Sequence, residues 1–378
     1  MAKMKYYTIR NVINKVPDAY YYVVYGERSN GKTYSTLDYC LERYFTHGEQ
    51  FAIIRRYRED MKGKRGGAMF SALTNNGVIK KYSKGKWNGI YYYSQKWYLI
   101  YINPENPKDK KIDDEPFAYG FALTDLEHDK STAYPRIKNI MFDEFITRSA
   151  YLPDEFIVFT NVLSTIIRER DDVKIFMLGN TINQYCPYFK EMGLTNVRKQ
   201  DVGTIDIYTY GDSKLKVAVE FSDFPEKKKR SDVYFAFDNP KLKAITGGGN
   251  WEIAIYPHLT PKMKYKPMEI IAHYFIVFEE TTLMCEIVRK KDVDMVFTFI
   301  HLKTTPIKDD DNSIVYTPKN SPLPNYRRKI TKPITRVDKK ILWFFVHEKV
   351  FYQSNEIGEI VRNYIQWCNT ATMESNNV

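Results

Sequence analysis

The sequence predicts an α/β fold with a mainly parallel sheet, followed by a smaller α+β region. Two observations carry this. Short apolar runs alternate with helical stretches through the first 185 residues, the pattern of strands joined by crossover helices. After about residue 200 the texture changes, and from 270 to 302 apolar runs joined by short polar turns give the pattern of a meander. With 378 residues, two domains are expected. The predicted division is 1–200, a connector over 201–250, and 251–378.

The elements follow in order. Residues 20–25 (YYYVVY) read as a buried strand and 32–45 as a helix of three to four turns. A second strand starts at 51–54 and runs straight into Arg55, Arg56 and Arg58. Between 78 and 102, tyrosine-rich runs are broken by Lys84-Gly85 and Asn88-Gly89, which are hairpin signals. Residues 117–123 and 140–145 suit further strands, 153–170 a helix with Pro153 near its first turn, and 175–178 a compact strand ending in Gly179-Asn180-Thr181. Residues 204–210 and 214–221 can pair across Gly211-Asp212. The basic run Lys227-Lys228-Lys229-Arg230 and the break Gly247-Gly248-Gly249 read as connector. A meander over 270–302 and a last helical stretch over 339–367 complete the chain, separated by a Pro-rich segment at 318–333.

Composition excludes several classes. Apolar residues make up 43%, which rules out wholesale disorder. Cys40, Cys186, Cys285 and Cys368 lie far apart, with neither disulfide-framework nor metal-ligand spacing. The N-terminus lacks a signal-peptide core and no stretch approaches 18 uninterrupted apolar residues, so a soluble, intracellular protein without membrane contact is expected. The formal charge of +11 calls for an anionic partner without naming it.

Part of that need is local. Gly26-Glu27-Arg28-Ser29-Asn30-Gly31-Lys32-Thr33 fits G-x-x-x-x-G-K-[ST] between a strand and a helix. Such a loop turns its N–H groups onto the β-phosphate of a nucleotide at a helix N-terminus; the lysine neutralises the β/γ oxygens and the threonine hydroxyl ligates Mg²⁺. The strand Ile140-Met141-Phe142 ends in Asp143-Glu144, where Asp143 can hold the magnesium shell and Glu144 can polarise the attacking water. Asn180, closing the next strand, either touches the γ-phosphate or that water, or is an ordinary Gly-Asn turn residue. Arg168 and Arg170 end the helix after the carboxylates. They are either an arginine finger for a neighbouring subunit's ATP or a solvated helix C-terminus favoured by the macrodipole. Arg148 is a weaker rival for the finger.

Basic charge gathers in two places. Residues 53–96 hold eleven Lys/Arg against two Asp/Glu, and 286–340 hold thirteen against seven. Within the first, Lys62-Gly63-Lys64-Arg65-Gly66-Gly67 reads as a flexible cationic loop suited to gripping phosphates without reading bases.

The order of Gly26 to Thr33, Gly48-Glu49-Gln50-Phe51 leading to Arg55-Arg56-Tyr57, Ser131-Thr132-Ala133-Tyr134-Pro135, and Phe142-Asp143-Glu144-Phe145-Ile146 resembles the DNA-packaging (encapsidation) ATPases of small Picovirinae-type podophages. The resemblance is strongest over 20–190 and looser through 270–316. It implies an ASCE P-loop ATPase domain followed by an RNase H-like domain that has lost nuclease activity. It implies a homo-oligomeric ring, a pentamer, that forms transiently at the prohead portal vertex in the host cytoplasm and drives double-stranded DNA inward. Portal protein and a prohead RNA are the implied further partners. Under it, Arg28 matches a phosphate-sensing arginine, Arg168 the trans-acting finger, Arg58 and Lys130 basic positions near the subunit interface, and Asn180 the polar residue of a coupling strand. The C-terminal basic segment then suits RNA or portal, and Arg58, Lys62, Lys64 and Arg65 suit DNA. Glu279-Glu280 and the run 309–311 do not form the inward-facing set of acids that a two-metal nuclease needs. A helicase or other remodelling ATPase of the ASCE class is the alternative reading. A structural adaptor with a decayed P-loop is disfavoured by the intact Lys32, Thr33, Asp143 and Glu144.

Overall fold

The computed structural model describes residues 6–125, 132–223, 251, 254–308 and 311–370. They form two compact units, each with its own sheet.

The first unit runs α1 (Arg10–Lys15), β1 (Tyr21–Gly26), α2 (Lys32–His47), β2 (Gln50–Arg55), then three short helices, α3 (Gly63–Ala68), α4 (Ser71–Asn75) and α5 (Val78–Tyr82). It continues with β3 (Gly89–Tyr93), β4 (Lys96–Ile102), β5 (Lys110–Ala122), β6 (Ile137–Asp143), α6 (Glu155–Ile167), β7 (Lys174–Asn180), α7 (Pro187–Glu191), β8 (Ile205–Thr209) and β9 (Lys216–Ser222). Its sheet has the order β3-β4-β5-β2-β6-β7-β1-β9-β8. Every pairing from β5 through β9 is parallel, and the antiparallel strands β3, β4 and β8 lie outside that block. The α/β class with a mainly parallel sheet is therefore as expected.

The central strands read as unbroken apolar runs because helices or loops cover both of their faces. Tyr22, Val23, Val24 and Tyr25 of β1 are all fully buried, as are Phe51 to Ile54 of β2. Helix α2 buries one stripe, Thr36, Leu37, Cys40 and Leu41, at helical spacing. It stops at Gly48, whose φ of 69° allows its N–H to take the Tyr44 carbonyl. On that side Tyr22 stacks on Phe176 with ring centroids 5.3 Å apart, and Phe70 packs edge-on to Phe117 and Trp97.

Three expectations need correction here. The hairpin in the tyrosine-rich region turns at neither Lys84-Gly85 nor Asn88-Gly89. Residues 78–82 are helical, and β3 passes to β4 through Ser94 and Gln95, at φ 47° and 59°. Two-residue turns between twisted strands demand such positive φ, and here residues other than Gly or Asn supply it. Residues 62–67 are not a flexible loop, because most of them form α3. Its Gly66 lies under Tyr92 so closely that a Cβ there would sit 2.3 Å from the ring, and Trp97 Nε1 donates to the Gly66 carbonyl at 2.9 Å. The segment 201–250 is not wholly connector, since β8 and β9 extend the main sheet. Val217, Ala218 and Val219 of β9 are buried beside β1. The run 227–230, the glycines 247–249 and Lys130 lie outside the described residues.

The second unit contains β10 (Ile270–Phe278), β11 (Thr281–Lys290), β12 (Met295–Leu302), β13 (Val315–Tyr316), β14 (Tyr326–Arg327), α8 (Arg336–Val346), β15 (Val350–Tyr352) and α9 (Asn355–Thr370). Strands β10, β11 and β12 form the expected antiparallel meander. Off β10 come β13 and β14, both parallel, and β15 adds parallel to β12. The sheet order is β14-β13-β10-β11-β12-β15. The helical stretch expected over 339–367 is two helices broken by β15. Helix α8 starts at a capping box in which Thr335 and Asp338 each accept the other's backbone N–H, and buried Asp338 also accepts from the Tyr316 hydroxyl at 2.9 Å. Glu279 and Glu280 make the turn between β10 and β11. No three His, Cys, Asp or Glu side chains among the described residues are grouped to hold a metal, and no described helix is long and apolar enough to cross a membrane.

Because Gly66 has no space for a methyl group beneath Tyr92, Gly66→Ala should destabilise the first unit by about 1–3 kcal/mol. The loss should shrink sharply in a Tyr92→Ala background. Urea unfolding of the four proteins measures the coupling; additive effects would show that the close approach carries no strain.

Candidate active site

The strand ends set the site. In register, Gly26 pairs with Asn180, Leu178 with Asp143, and Ile54 with Phe142, so the C-terminal ends of β1, β7, β6 and β2 reach one edge together. A cleft of about 520 Å³ opens there, which is where ligands sit in open parallel sheets.

The loop after β1 is shaped by two left-handed residues, Ser29 at φ 59° and Gly31 at φ 98°. Beneath it, Gly26 passes so close to β9 that a Cβ would lie 2.3 Å from Ser222 Oγ. Buried Asn30 braces the turn. Its Nδ2 donates to Ser222 Oγ at 3.0 Å, and its Oδ1 accepts from the Lys32 N–H at 3.3 Å and from Lys32 Nζ at 3.1 Å. The Lys32 ammonium donates as well to the carbonyls of Gly26 at 3.2 Å and Glu27 at 2.7 Å. All three acceptors are neutral, and Lys32 is only 5% exposed. Burial therefore pulls its amine down to about 7, against the opposing pull of Asp143 and Glu27. A desolvated cation with only neutral acceptors at a helix N-terminus suits a polyanion.

Across the cleft, Thr33 Oγ1 donates to Asp143 Oδ1 at 2.9 Å. Asp143 is buried at the end of β6, and desolvation raises its carboxyl pKa, although Arg55 beside it acts the other way. Glu144, the next residue, stands at φ 61° and leaves its carboxylate 62% exposed at the cleft. Arg28, Ser29, Thr33, Asp143, Glu144 and Asn180 all line the cleft with Lys32. Asn180 reaches it because Gly179 has no side chain: a Cβ there would lie 2.6 Å from Ile146 and 2.9 Å from Phe145. The donor and acceptor types fit a metal-bound triphosphate: the Lys32 ammonium could take phosphate oxygens, and the Thr33 hydroxyl and Asp143 carboxylate could hold a metal.

The other predicted residues lie elsewhere. Arg168 is exposed, with φ 54°, and its Nη2 donates to the Thr132 carbonyl at 3.0 Å. Arg170 binds the carbonyls of Ile166 and Ile167 at the end of α6 and those of Pro135 and Ile137 at the start of β6. Both arginines thus mark the sheet edge opposite the cleft. Arg170 caps its helix as the macrodipole predicts, whereas Arg168 touches no helix carbonyl through its guanidinium. Half-buried Arg148 follows Thr147, a cleft residue. Arg58 pairs with Asp125 at 3.4 Å, Lys62 with Glu59 at 3.1 Å and Arg65 with Asp60 at 3.7 Å, all exposed, and Lys64 is exposed beside them.

Two site residues carry no role in the sequence reading. Arg55 bridges the carboxylates, with Nη2 to Asp143 Oδ2 and Nη1 to Glu144 Oε2 both at 2.7 Å. Arg56 holds the loop that bears Glu144. Its Nη1 donates to the Glu144 carbonyl at 3.2 Å, its Nη2 to that of Phe145 at 2.8 Å, and its guanidinium pairs with fully buried Glu155, which also accepts from Tyr188 at 2.8 Å. The available signal was an apolar strand running into adjacent arginines at the end where the acids must lie.

Strand β7 separates the P-loop strand β1 from the carboxylate strand β6, and this order places the chain among P-loop NTPases of the ASCE class. Residues 108–235 match the family model described as Podovirus DNA encapsidation protein (Gp16). The chain is similar to the DNA packaging protein of Bacillus phage B103, 26% identical over 211 residues, which are 54% of this chain and 57% of that protein. It is also similar to the DNA packaging protein of Bacillus phage phi29, 28% identical over 169 residues, 44% of each. The chain thus spans about half the length of the curated relatives it matches. Among solved structures, a chain of the bacteriophage Phi-29 viral genome packaging motor assembly shares the fold, with a TM-score of 0.52 at 19% identity, over 96% of this chain and 99% of that one. The resemblance drawn from the motifs is borne out.

Breaking the buried pair should cost more than replacing it. Glu155→Gln strands the Arg56 cation and is expected to cost about 3–5 kcal/mol, while Arg56→Met with Glu155→Leu should recover much of that. Denaturant midpoints of the three proteins decide this, and equal losses in single and double variants would contradict it.

Proposed function

We propose that this chain is an ATP-hydrolysing motor that moves double-stranded viral DNA into a preformed prohead, working as one subunit of a homo-oligomeric ring at the portal vertex in the host cytoplasm. The observation that carries the reading is the meeting of Lys32, Thr33, Asp143, Glu144 and Asn180 in one cleft. The similarity to phage packaging proteins supports the choice of substrate over that of a helicase.

Within the site, Gly31 and its neighbours present N–H groups to the phosphates, and Lys32 holds the β/γ oxygens. Mg²⁺, held by Thr33 and Asp143, would neutralise the charge that develops on the transferred phosphoryl group. Glu144 orients and deprotonates the attacking water, and its exposed carboxylate suits that task. Arg28 senses the phosphate from within the loop, and Asn180 reads the γ-phosphate or the water and passes the change to β7.

Arg168 completes a neighbour's site. Strand β6 has seven residues, so it spans ~23 Å at about 3.3 Å per residue. Arg168 lies beyond the far end of that span from its own cleft, and action on ATP requires a second copy. Arg58, Lys62, Lys64 and Arg65 grip the DNA backbone. The C-terminal basic segment serves a prohead RNA or the portal. The second unit works without nuclease activity: its Asp338 is committed to capping α8, and Asp311 accepts from His273 and Ser313. We place the ATPase domain at 1–200 with the β8–β9 hairpin added to it.

Three outcomes test this. Glu144→Gln should retain nucleotide binding but lower DNA-stimulated ATP turnover by at least 10²-fold; unchanged turnover defeats the assignment. Mixing Arg168→Ala subunits with Lys32→Ala subunits should restore part of the turnover that each lacks alone, because one supplies the cleft and the other the finger. No rescue at any ratio would place Arg168 outside catalysis. In a filter-binding salt series on duplex DNA, Lys62→Ala/Lys64→Ala should flatten the log–log slope by roughly 1.8, and an unaltered slope removes these lysines from the DNA path.

A further inference from the structure

We infer that the segment at residues 6–9 is a strap that positions the phosphate loop: Tyr7, tied to buried Glu220, holds the Asn30 carbonyl and so keeps the loop's N–H groups free to face phosphates. This rests on the proposed nucleotide site. Hydrogen bonds lay the strap along the loop and the start of α2. The Tyr7 N–H donates to the Asn30 carbonyl at 3.1 Å, the Tyr7 hydroxyl to Glu220 Oε2 at 2.5 Å, and the Ile9 N–H to Ser35 Oγ at 2.8 Å. Tyr7, Ile9 and Glu220 are all buried. A Cβ at Gly31 would lie 3.3 Å from that of Tyr6, so the strap passes beside the residue that opens α2.

The peptide after Asn30 needs such a hold. It leads into Gly31, and glycine accepts φ of either sign at little cost, so this peptide can rotate and present its oxygen where an N–H should be. A carbonyl turned toward a phosphate repels it, whereas an N–H attracts it. The Asn30 side chain secures one half of the turn, with Nδ2 on Ser222 Oγ and Oδ1 taking the Lys32 N–H. The Tyr7 N–H secures the other half by occupying the main-chain oxygen. Both holds lead back to one strand. Glu220 and Ser222 lie on the same face of β9, in register with Val24 and Gly26 of β1. Strand β9 thus braces Asn30 twice, through its side chain by Ser222 and through its main chain by way of Glu220 and Tyr7. A well-packed apolar pair would fill the same space at less cost in desolvation, so the buried acid points to a directional hold.

ADP in excess EDTA is the probe, titrated by calorimetry into the nucleotide-free full-length protein, so that no metal takes part. Tyr7→Ala should weaken ADP binding at least tenfold and Tyr7→Phe at least threefold. Glu220→Gln keeps an acceptor for the hydroxyl and should lose less than Tyr7→Phe. The double variant Tyr7→Phe/Glu220→Leu removes both ends of the bond without stranding a carboxylate; it should match Tyr7→Phe and serves if that protein does not fold. In steady-state turnover, KM for ATP should rise with these losses while kcat changes less than twofold, because the loop holds substrate and transition state alike. A Tyr7→Ala protein whose folded fraction binds ADP with native affinity overturns the inference and leaves Tyr7 a packing residue. A fall in kcat at unchanged KM also overturns it. Lys32→Ala separates the two readings. Native ADP affinity in Lys32→Ala would refute the nucleotide site itself, whereas lost binding there with native affinity in Tyr7→Ala refutes only the strap.

Discussion

Parallel pairing at a common register is the constraint on which the site depends. Four strands that are distant in sequence end on one edge, bringing Gly26, Arg55, Asp143 and Asn180 together without help from any loop. Parallel strands are joined by crossovers, so each must return to the far edge before the next begins, and every strand delivers its last residue to the same side. That same rule puts Arg168 and Arg170 at the other edge, with the helix α6 lying between the carboxylates and the arginines. Catalytic groups that are exchanged between subunits gain from this separation. Under the proposed trans role, a finger at the far edge would not reach its own cleft, and hydrolysis would be conditional on a neighbour.

Around that edge the electrostatics divide into fixed and movable parts. Buried Glu155 with Arg56 and Tyr188 is a closed network whose value lies in holding the backbone at Glu144 and Phe145. Buried ion pairs of this kind add little net stability, because desolvation offsets attraction, yet they are costly to break. The cleft itself is unbalanced in the opposite sense. Lys32 has only neutral acceptors, Asp143 is pushed toward its protonated form by burial, and Arg55 Nε has no hydrogen-bond partner among the described residues. Such strain in a site otherwise built on rigid strands is what a charged ligand can relieve, which is how binding energy becomes available for ordering the reacting groups.

Much of the site was legible from local spacing. A P-loop is a contiguous motif whose chemistry needs a fixed number of residues between strand and helix, so Gly26 to Thr33 could be read directly, as could Asp143-Glu144 at the end of an apolar run. Arg55 and Arg56 could not be assigned, because their roles depend on β2 lying beside β6, a pairing across more than eighty residues. Ser222, against which Gly26 and Asn30 pack, comes from a hairpin that sequence texture had assigned to a connector. The turn at Ser94-Gln95 escaped for another reason. Its residues adopt positive φ because the flanking strands hold them there, and no local preference announces it. Helix α3 was misread because three glycines in six residues suggest flexibility, whereas Gly66 is required by the close approach of Tyr92.

The same long-range contacts change what the basic charge means. Counted along the chain, residues 53–96 are strongly positive. In the fold, Arg55 and Arg56 belong to acids that lie outside that window, at 143, 144 and 155. Arg58, Lys62 and Arg65 each have a carboxylate neighbour, and Lys81 and Lys86 lie over the rings of Tyr82 and Trp87. Exposed ion pairs contribute about 0–1 kcal/mol each and exchange readily, so those cations remain available to phosphates at a small cost, while the buried ones do not. A short helix with exchangeable partners, continuous through Tyr57 with the strand that ends at Arg55, joins the surface proposed to hold DNA to the carboxylates proposed to cleave ATP.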